Sequence, residues 1–233
     1  MVVARCPSRP GGRRHALLPS DYRALSISRV TSERCSPTAS FARTATAAGY
    51  SWTVPTAFTH AIVGAGVAIC FPREVAAKRL MIAAAVLAVL PDVDVISFSL
   101  GIPYDHPLGH RGLSHSLPFA AAASFLTATL LFPAVRVGWR RWWLACGTLF
   151  TAAASHGLLD ACTNAGLGIG FLIPFDNGRY FLPWRPLATS PVDVGAFFEG
   201  PALSILANEV VWVWTPLTFV IVLICTWRYL RSR

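Results

Sequence analysis

Apolar residues fall in long runs along this chain, broken by short basic clusters and by one polar stretch between residues 90 and 115. The runs predict five helical segments, at about 58–71, 80–90, 117–135, 142–159 and 202–227. A membrane span takes about 20 apolar residues. The third, fourth and fifth segments meet that length. The first two are short and are expected to be re-entrant or buried behind the others. Pro216, inside the fifth segment, predicts a kink. Trp142, Trp143, Trp212, Trp214 and Trp227 suit interfacial or packed positions. The pattern as a whole predicts an all-α, multi-pass membrane protein with about three to five membrane-embedded helices.

Composition strengthens this reading. The 233 residues are 54% hydrophobic and 13% charged, with mean hydropathy +0.52, whereas soluble domains carry about 25% charged residues. The net charge of +9 does not predict a nucleic-acid partner, because the basic residues form neither one block nor one face. The six cysteines are scattered without a C-x-x-C pair, which gives neither a disulfide framework nor a thiolate zinc knuckle.

Residues 1–53 are read apart from the 54–233 domain. The first fifty are rich in Arg, Ser, Ala and Pro, contain only Asp21 and Glu33 as acids, and have no apolar core of a secretory signal. They read as a disordered or transit-like extension, or as untranslated sequence ahead of a start near Val54. No functional residue is expected there.

Lysine and arginine set an expected orientation. Arg73, Lys78 and Arg79, then Arg136, Arg140 and Arg141, then Arg228, Arg231 and Arg233 occupy alternate connections. The positive-inside rule makes that side cytoplasmic, with the C-terminus. The opposite, extracytoplasmic level then receives His60, Asp92, Asp94, His106, His110, His115, His156 and Asp160. Nothing in the charge count required these residues to coincide, so their agreement points to one shared site.

Each element of the constellation has a plain alternative. His156 and Asp160 stand at i, i+4 and share a helix face, as metal ligands or as a hydrogen-bonded pair. Asp92 and Asp94 follow Pro91; in an extended turn they point the same way, as ligands, a metal bridge or a catalytic base, or else one is an N-cap. His110-Arg-Gly-Leu-Ser-His115 adds two imidazoles, with Gly112 permitting a sharp turn. Arg111 is placed to hold an anionic oxygen, or to pair with Asp105 or a lipid headgroup. His60 alone is a polar helix-end residue; with the others it is a ligand. Charged side chains near lipid cost about 2.5–3.5 kcal/mol each, which favours a metal site in the sum. Nitrogen and carboxylate ligands without thiolate suit zinc first, and also manganese or iron. Such a site makes water a nucleophile and clamps phosphoester oxygens. The Gly- and Pro-rich 161–201 stretch, with an Asp176-Asn177-Gly178 turn, is either an interfacial lid or a packed connection. Asp193 and Glu199 are further acids in it, and Glu209 is placed at the outer end of the fifth segment.

PTAFTHAIVGAG, LPDVD, HRGLSHS, SHGLLDACTNAG and RYFLPWRP occur in that order. From Val54 to Trp227 the chain resembles the YdjM family of inner-membrane metal-dependent hydrolases. The ligand order is also similar to that of zinc-dependent phospholipase C and P1-type nucleases. That similarity implies His60, Asp94, His115, His156 and Asp160 as ligands, although no histidine follows His156 to complete a three-zinc cluster. The expectation is therefore a hydrolase of a phosphoester or lipid-linked substrate at the extracytoplasmic face of the inner membrane. Its ligands are drawn from His60, Asp92, Asp94, His110, His115, His156 and Asp160, and its catalytic groups from Asp92, Asp94 and Arg111. The rival is a non-catalytic metal carrier or a metal-stapled structural protein. A third reading, without metal, is a polar cap or proton path.

Overall fold

The computed structural model describes residues 53–54, 56–71, 77–191 and 202–233. Residues 1–52, Arg73, Asp193 and Glu199 lie outside the described residues.

The first helix, α1 (Ala57–Cys70), begins where Thr56 caps it, its Oγ1 accepting from Thr59 N at 3.3 Å. It packs along α2 (Ala77–Val89) with no room for side chains between the backbones. A Cβ on Gly64 would meet the Ala84 carbonyl oxygen at 2.5 Å. Small residues at helix interfaces allow this approach in membrane helices. The polar stretch then runs through a 3-10 turn (Leu90–Val95), a short α3 (Ile96–Ser99) and a second 3-10 turn (Leu113–His115). Next come α4 (Leu117–Leu131), α5 (Ala134–Val137) and the long α6 (Trp139–Ala161). Helix α6 is central and touches α1, α2 and α4. The core lies between these helices, with Leu80, Ala84 and Leu87 of α2, Ala120 and Ala128 of α4, and Ala145, Leu149 and Ala152 of α6.

The outward faces are apolar too. Ile82, Phe125, Leu126, Leu130, Phe219 and Leu223 are exposed, the reverse of a soluble helix with its polar outer face. Two helical runs, Lys78–Ser99 (22 residues) and Ala202–Arg231 (30 residues), are long and apolar enough to cross a membrane. The second predicted segment therefore gains the length it lacked, because the helix continues through Pro91 as a 3-10 turn. The third does not reach that length: α4 stops at Leu131 after 15 residues. The fourth is long enough at 23 residues, but His156, Ser155 and the tryptophans dilute it.

The C-terminal run comprises α7 (Ala202–Glu209), a π turn (Val210–Trp214) and α8 (Thr215–Arg231). Pro216 was expected to kink this run. Just before it the chain widens: Thr215 N bonds to Val210 O, five residues back, and Thr215 Oγ1 reaches the same carbonyl at 2.8 Å. A proline ring crowds the carbonyl four residues back, and one π turn relieves that crowding. At its far end Arg228 donates to the carbonyls of Ile69 (2.9 Å) and Cys70, tying α8 to the C-terminus of α1.

The connection after α6 is packed down. Ile169 and Tyr180 exchange both backbone hydrogen bonds, at 2.9 and 3.0 Å, and Ile169, Ile173 and Leu187 are buried. Asp176 makes the expected turn, accepting from Gly178 N at 2.9 Å. Two-residue strands, β1 (Thr53–Val54) and β2 (Ser190–Pro191), pair antiparallel.

Candidate metal centre

Four elements meet at one end of the core. His60 comes from the first turn of α1, Asp92 from the 3-10 turn, His115 from the second 3-10 turn, and His156 with Asp160 from the last turns of α6. All but Asp92 are fully buried or nearly so. His115 Nε2 has three acceptors around it: His156 Nε2 at 3.0 Å, Asp160 Oδ2 at 3.3 Å and Asp92 Oδ1 at 3.9 Å. His156 Nε2 is also 3.4 Å from Asp92 Oδ1 and 3.8 Å from Asp160 Oδ2. On the other side of Asp160, Oδ1 lies 3.4 Å from His60 Nε2. The His60 and His156 rings stack with centroids 3.8 Å apart.

One N–H proton cannot serve three acceptors. Asp92 Oδ1, both oxygens of Asp160 and both nitrogens of His60 are buried and make no hydrogen bond. Buried polar atoms are otherwise satisfied in more than about 90% of cases, so this cluster of facing, unbonded atoms is a candidate cation site. Asp92, His115, His156 and Asp160 each offer an atom within 4.8 Å of all the others. That set of two imidazole nitrogens and two carboxylates, with His60 beside it, fits zinc, manganese or iron chemically.

The outer contacts aim these rings. His156 Nδ1 is 2.7 Å from the Ala88 carbonyl, which only accepts, so Nδ1 carries the proton and Nε2 presents its lone pair to the cluster. His115 Nδ1 is 3.1 Å from Asp94 Oδ2. Burial works against a charge on His115, but the Asp160 and Asp94 carboxylates beside its two ring nitrogens outweigh burial and push its pKa up to about 9.

Asp92 and Asp94 do not point the same way. The expected extended turn is a 3-10 helix, in which successive residues step by about a third of a turn. Asp92 therefore faces the imidazole Nε2 atoms, and Asp94 faces the opposite edge of His115. Asp94 gathers four donors: His110 Nδ1 at 2.5 Å, His115 Nδ1, Arg111 N at 3.2 Å and Ser114 Oγ. Asp94, His110 and His115 also form a second group with metal-ligand spacing.

Arg111 is neither a partner of Asp105 nor at the surface. Its side chain is fully buried, with Nε 3.4 Å from Asp160 Oδ2 and Nη1 donating to Ala165 O at 2.9 Å. The sharp turn falls on Arg111 itself, at φ 61°, and not on Gly112. Gly166 leaves the space for its guanidinium: a Cβ there would sit 2.6 Å from Nη1. His106 and Asp105 are exposed and away from the cluster; His106 Nδ1 accepts from Leu108 N at 3.1 Å.

Three features were not legible as site residues. Arg179, in the stretch read as either a lid or a packed connection, is buried and donates to the carbonyls of Tyr104 (2.8 Å), His106 (3.1 Å) and His110 (3.0 Å), binding the two loops together. Ser114 bonds Asp94. Glu209 is fully buried beside Thr56 and Thr59 at the start of α1. A lone acid within an apolar run was its one signal.

The chain is 36% identical over 163 residues to the inner membrane protein YbcI of Escherichia coli (strain K12), covering 70% of this chain and 92% of that relative. No solved structure matches the chain. The family model described as YdjM inner membrane protein matches residues 56–232, a range that contains every residue of the cluster. The protein belongs to the YdjM inner membrane protein family.

Proposed function

We propose that this protein is a membrane-bound metal-dependent hydrolase acting on a phosphoester or lipid-linked substrate, with its site at the extracytoplasmic face. The observation that carries the proposal is the set of buried, unbonded donor atoms of His60, Asp92 and Asp160 facing His115 and His156. In this reading Asp92, His115, His156 and Asp160 hold the ion, and His60 completes the set from the far side of Asp160. A divalent ion at such a site supplies Lewis acidity and makes water a nucleophile near neutral pH. Asp92 is the least buried member, its side chain 14% exposed against 0% for Asp160. Water and substrate approach from its side, where its carboxylate is placed to take a proton. Arg111 balances the charge of Asp160 and keeps that carboxylate in place. Asp94 and His110 orient His115 from outside.

One observation favours a different reading. The imidazoles and Asp160 are so deeply buried that the ion would have few open positions, as in structural metal sites. The ion would then staple four helical elements without turnover.

Elemental analysis of the detergent-purified protein and of His156→Ala tests the site. About one or more equivalents of zinc, manganese or iron in the parent, lost in the variant, is expected. A parent without metal after metal is added back ends the hydrolase reading. A loaded parent that cleaves neither simple phosphodiesters nor phosphatidic acid favours the staple.

A further inference from the structure

Glu209 is a carboxylate with no exposure in a long apolar helix, and nothing in the proposed chemistry uses it. Among the described residues its hydrogen-bond partners are Thr56, the N-cap of α1, and Thr59 in its first turn. Oε1 accepts from Thr56 N at 2.6 Å. Oε2 accepts from Thr56 Oγ1 at 2.6 Å and from Thr59 Oγ1 at 2.8 Å. Trp214 Nε1 donates to the same Thr59 hydroxyl at 2.8 Å. An anion at a helix N-terminus answers both the free N–H groups and the helix dipole.

Two local features make this clamp. In an α-helix, residues five apart point about 140° away from each other. Glu209 and Trp214 are five apart, and the i to i+5 repeat of the π turn between them brings both to the Thr59 hydroxyl. The residue after Thr59 is His60. His115 and His156 each have an outer partner on Nδ1, Asp94 and the Ala88 carbonyl. Among the described residues His60 has no hydrogen-bond partner on either ring nitrogen. Beyond its stacking on His156, its aim therefore comes from the backbone that carries it.

We infer that Glu209 is a positioning residue for His60: through Thr56 and Thr59, and with Trp214, it locks the first turn of α1 so that the imidazole reaches the metal cluster. This rests on the metal reading given above. Glu209 takes, for His60, the place that Asp94 takes for His115, but acts through main chain and hydroxyls instead of the ring.

The test is Co2+ titration of the full-length, detergent-purified chain, read by visible absorption, with E209A, E209Q, H60A, R228A and the E209A/H60A double variant. Outer-shell partners of metal ligands are worth about 10–100-fold in affinity, and E209A is expected to weaken Co2+ binding by that range. H60A should weaken it at least as much, and the double variant no further than H60A alone, since contributions through one residue do not add. E209Q retains an acceptor for Thr56 N, and its amide can donate to the two hydroxyls, so it should restore most of the affinity. R228A removes the tie at the opposite end of α1, made by the far end of the C-terminal run, and should stay within about twofold, as residues without shared partners act independently. Unchanged affinity in E209A, full additivity with H60A, or an equal loss in R228A overturns the inference and leaves the metal site standing. A parent that binds no Co2+ removes the metal reading and this inference with it.

Discussion

Asp94 Oδ2 lies 3.1 Å from His115 Nδ1, on the edge of the ring opposite the Nε2 atom that faces Asp160 Oδ2 at 3.3 Å. One imidazole is thus gripped by two carboxylates from different elements. The inner carboxylate shares its space with other unsatisfied donors, and the outer one is saturated by donors of its own. That difference separates a ligand from the residue that orients it, and mutation can read it out.

Asp94→Asn should leave a metal site that is weaker, not absent. The expected loss is about 10–100-fold in metal affinity, with the stoichiometry at saturating ion unchanged. Asp160→Asn, by contrast, should abolish stoichiometric binding. Equilibrium dialysis of both variants against Zn2+ checks the contrast.

Arg111 and Asp160 form a pair in which both side chains are 0% exposed. Removing one member of a buried pair strands the other, at a cost of about 3–5 kcal/mol. Arg111→Met should therefore destabilise the protein strongly when a chelator is present. A loaded ion should recover part of the loss by taking over the charge of Asp160. Thermal unfolding in detergent, with EDTA and with Zn2+, measures both effects.

Gly166 has φ +92°, and a Cβ on it would meet Arg111 Nη1 at 2.6 Å. Gly166→Ala adds backbone strain of about 1–2 kcal/mol for the left-handed conformation, and it also displaces the guanidinium. Loss of stability and of metal affinity together is expected. Gly147→Ala, where an added Cβ meets nothing within 4 Å, should be close to neutral by the same assays.

Chelation alone should lower the melting temperature of the parent protein. A ligand that binds only the folded state at 100 times its Kd contributes about 2.7 kcal/mol. In His156→Ala, the addition or removal of metal should leave the melting temperature unchanged.

The sequence reading reached the helices and the cluster for definite reasons. Apolar runs are long-range signals, and α1, α2, α4, α6 and the C-terminal run fall close to where the runs lie. His156 and Asp160 were legible as a pair because helical periodicity places i and i+4 together. The convergence of His60, Asp92 and His115 on them followed from alternation of the basic clusters. The roles of Asp92 and Asp94 were not legible, because a Pro-Asp-Val-Asp string does not say whether it is extended or 3-10, and that choice decides which way the second acid faces. The partner of Arg111 was hidden for a similar reason. It lies 49 positions away in sequence, and no local pattern joins the two. The π turn depends on Pro216 acting within a packed helix, where a kink and a widened turn are both answers to the same crowded carbonyl.

The hydrogen bond from Thr56 N to Glu209 Oε1 joins residues 153 apart. It brings nearly the whole described domain into one closed loop. A ribosome delivers α1 first and α7 only after α6, so the candidate ligand set is complete at Asp160 well before the clamp on α1 is made. Closing so long a loop is a late event in folding. A chain cut between Asp160 and Glu209 carries every ligand and still lacks the fastening for the first of them. If the cluster holds an ion, its affinity reports whether that clamp has closed, and a binding measurement then doubles as a test of a finished chain.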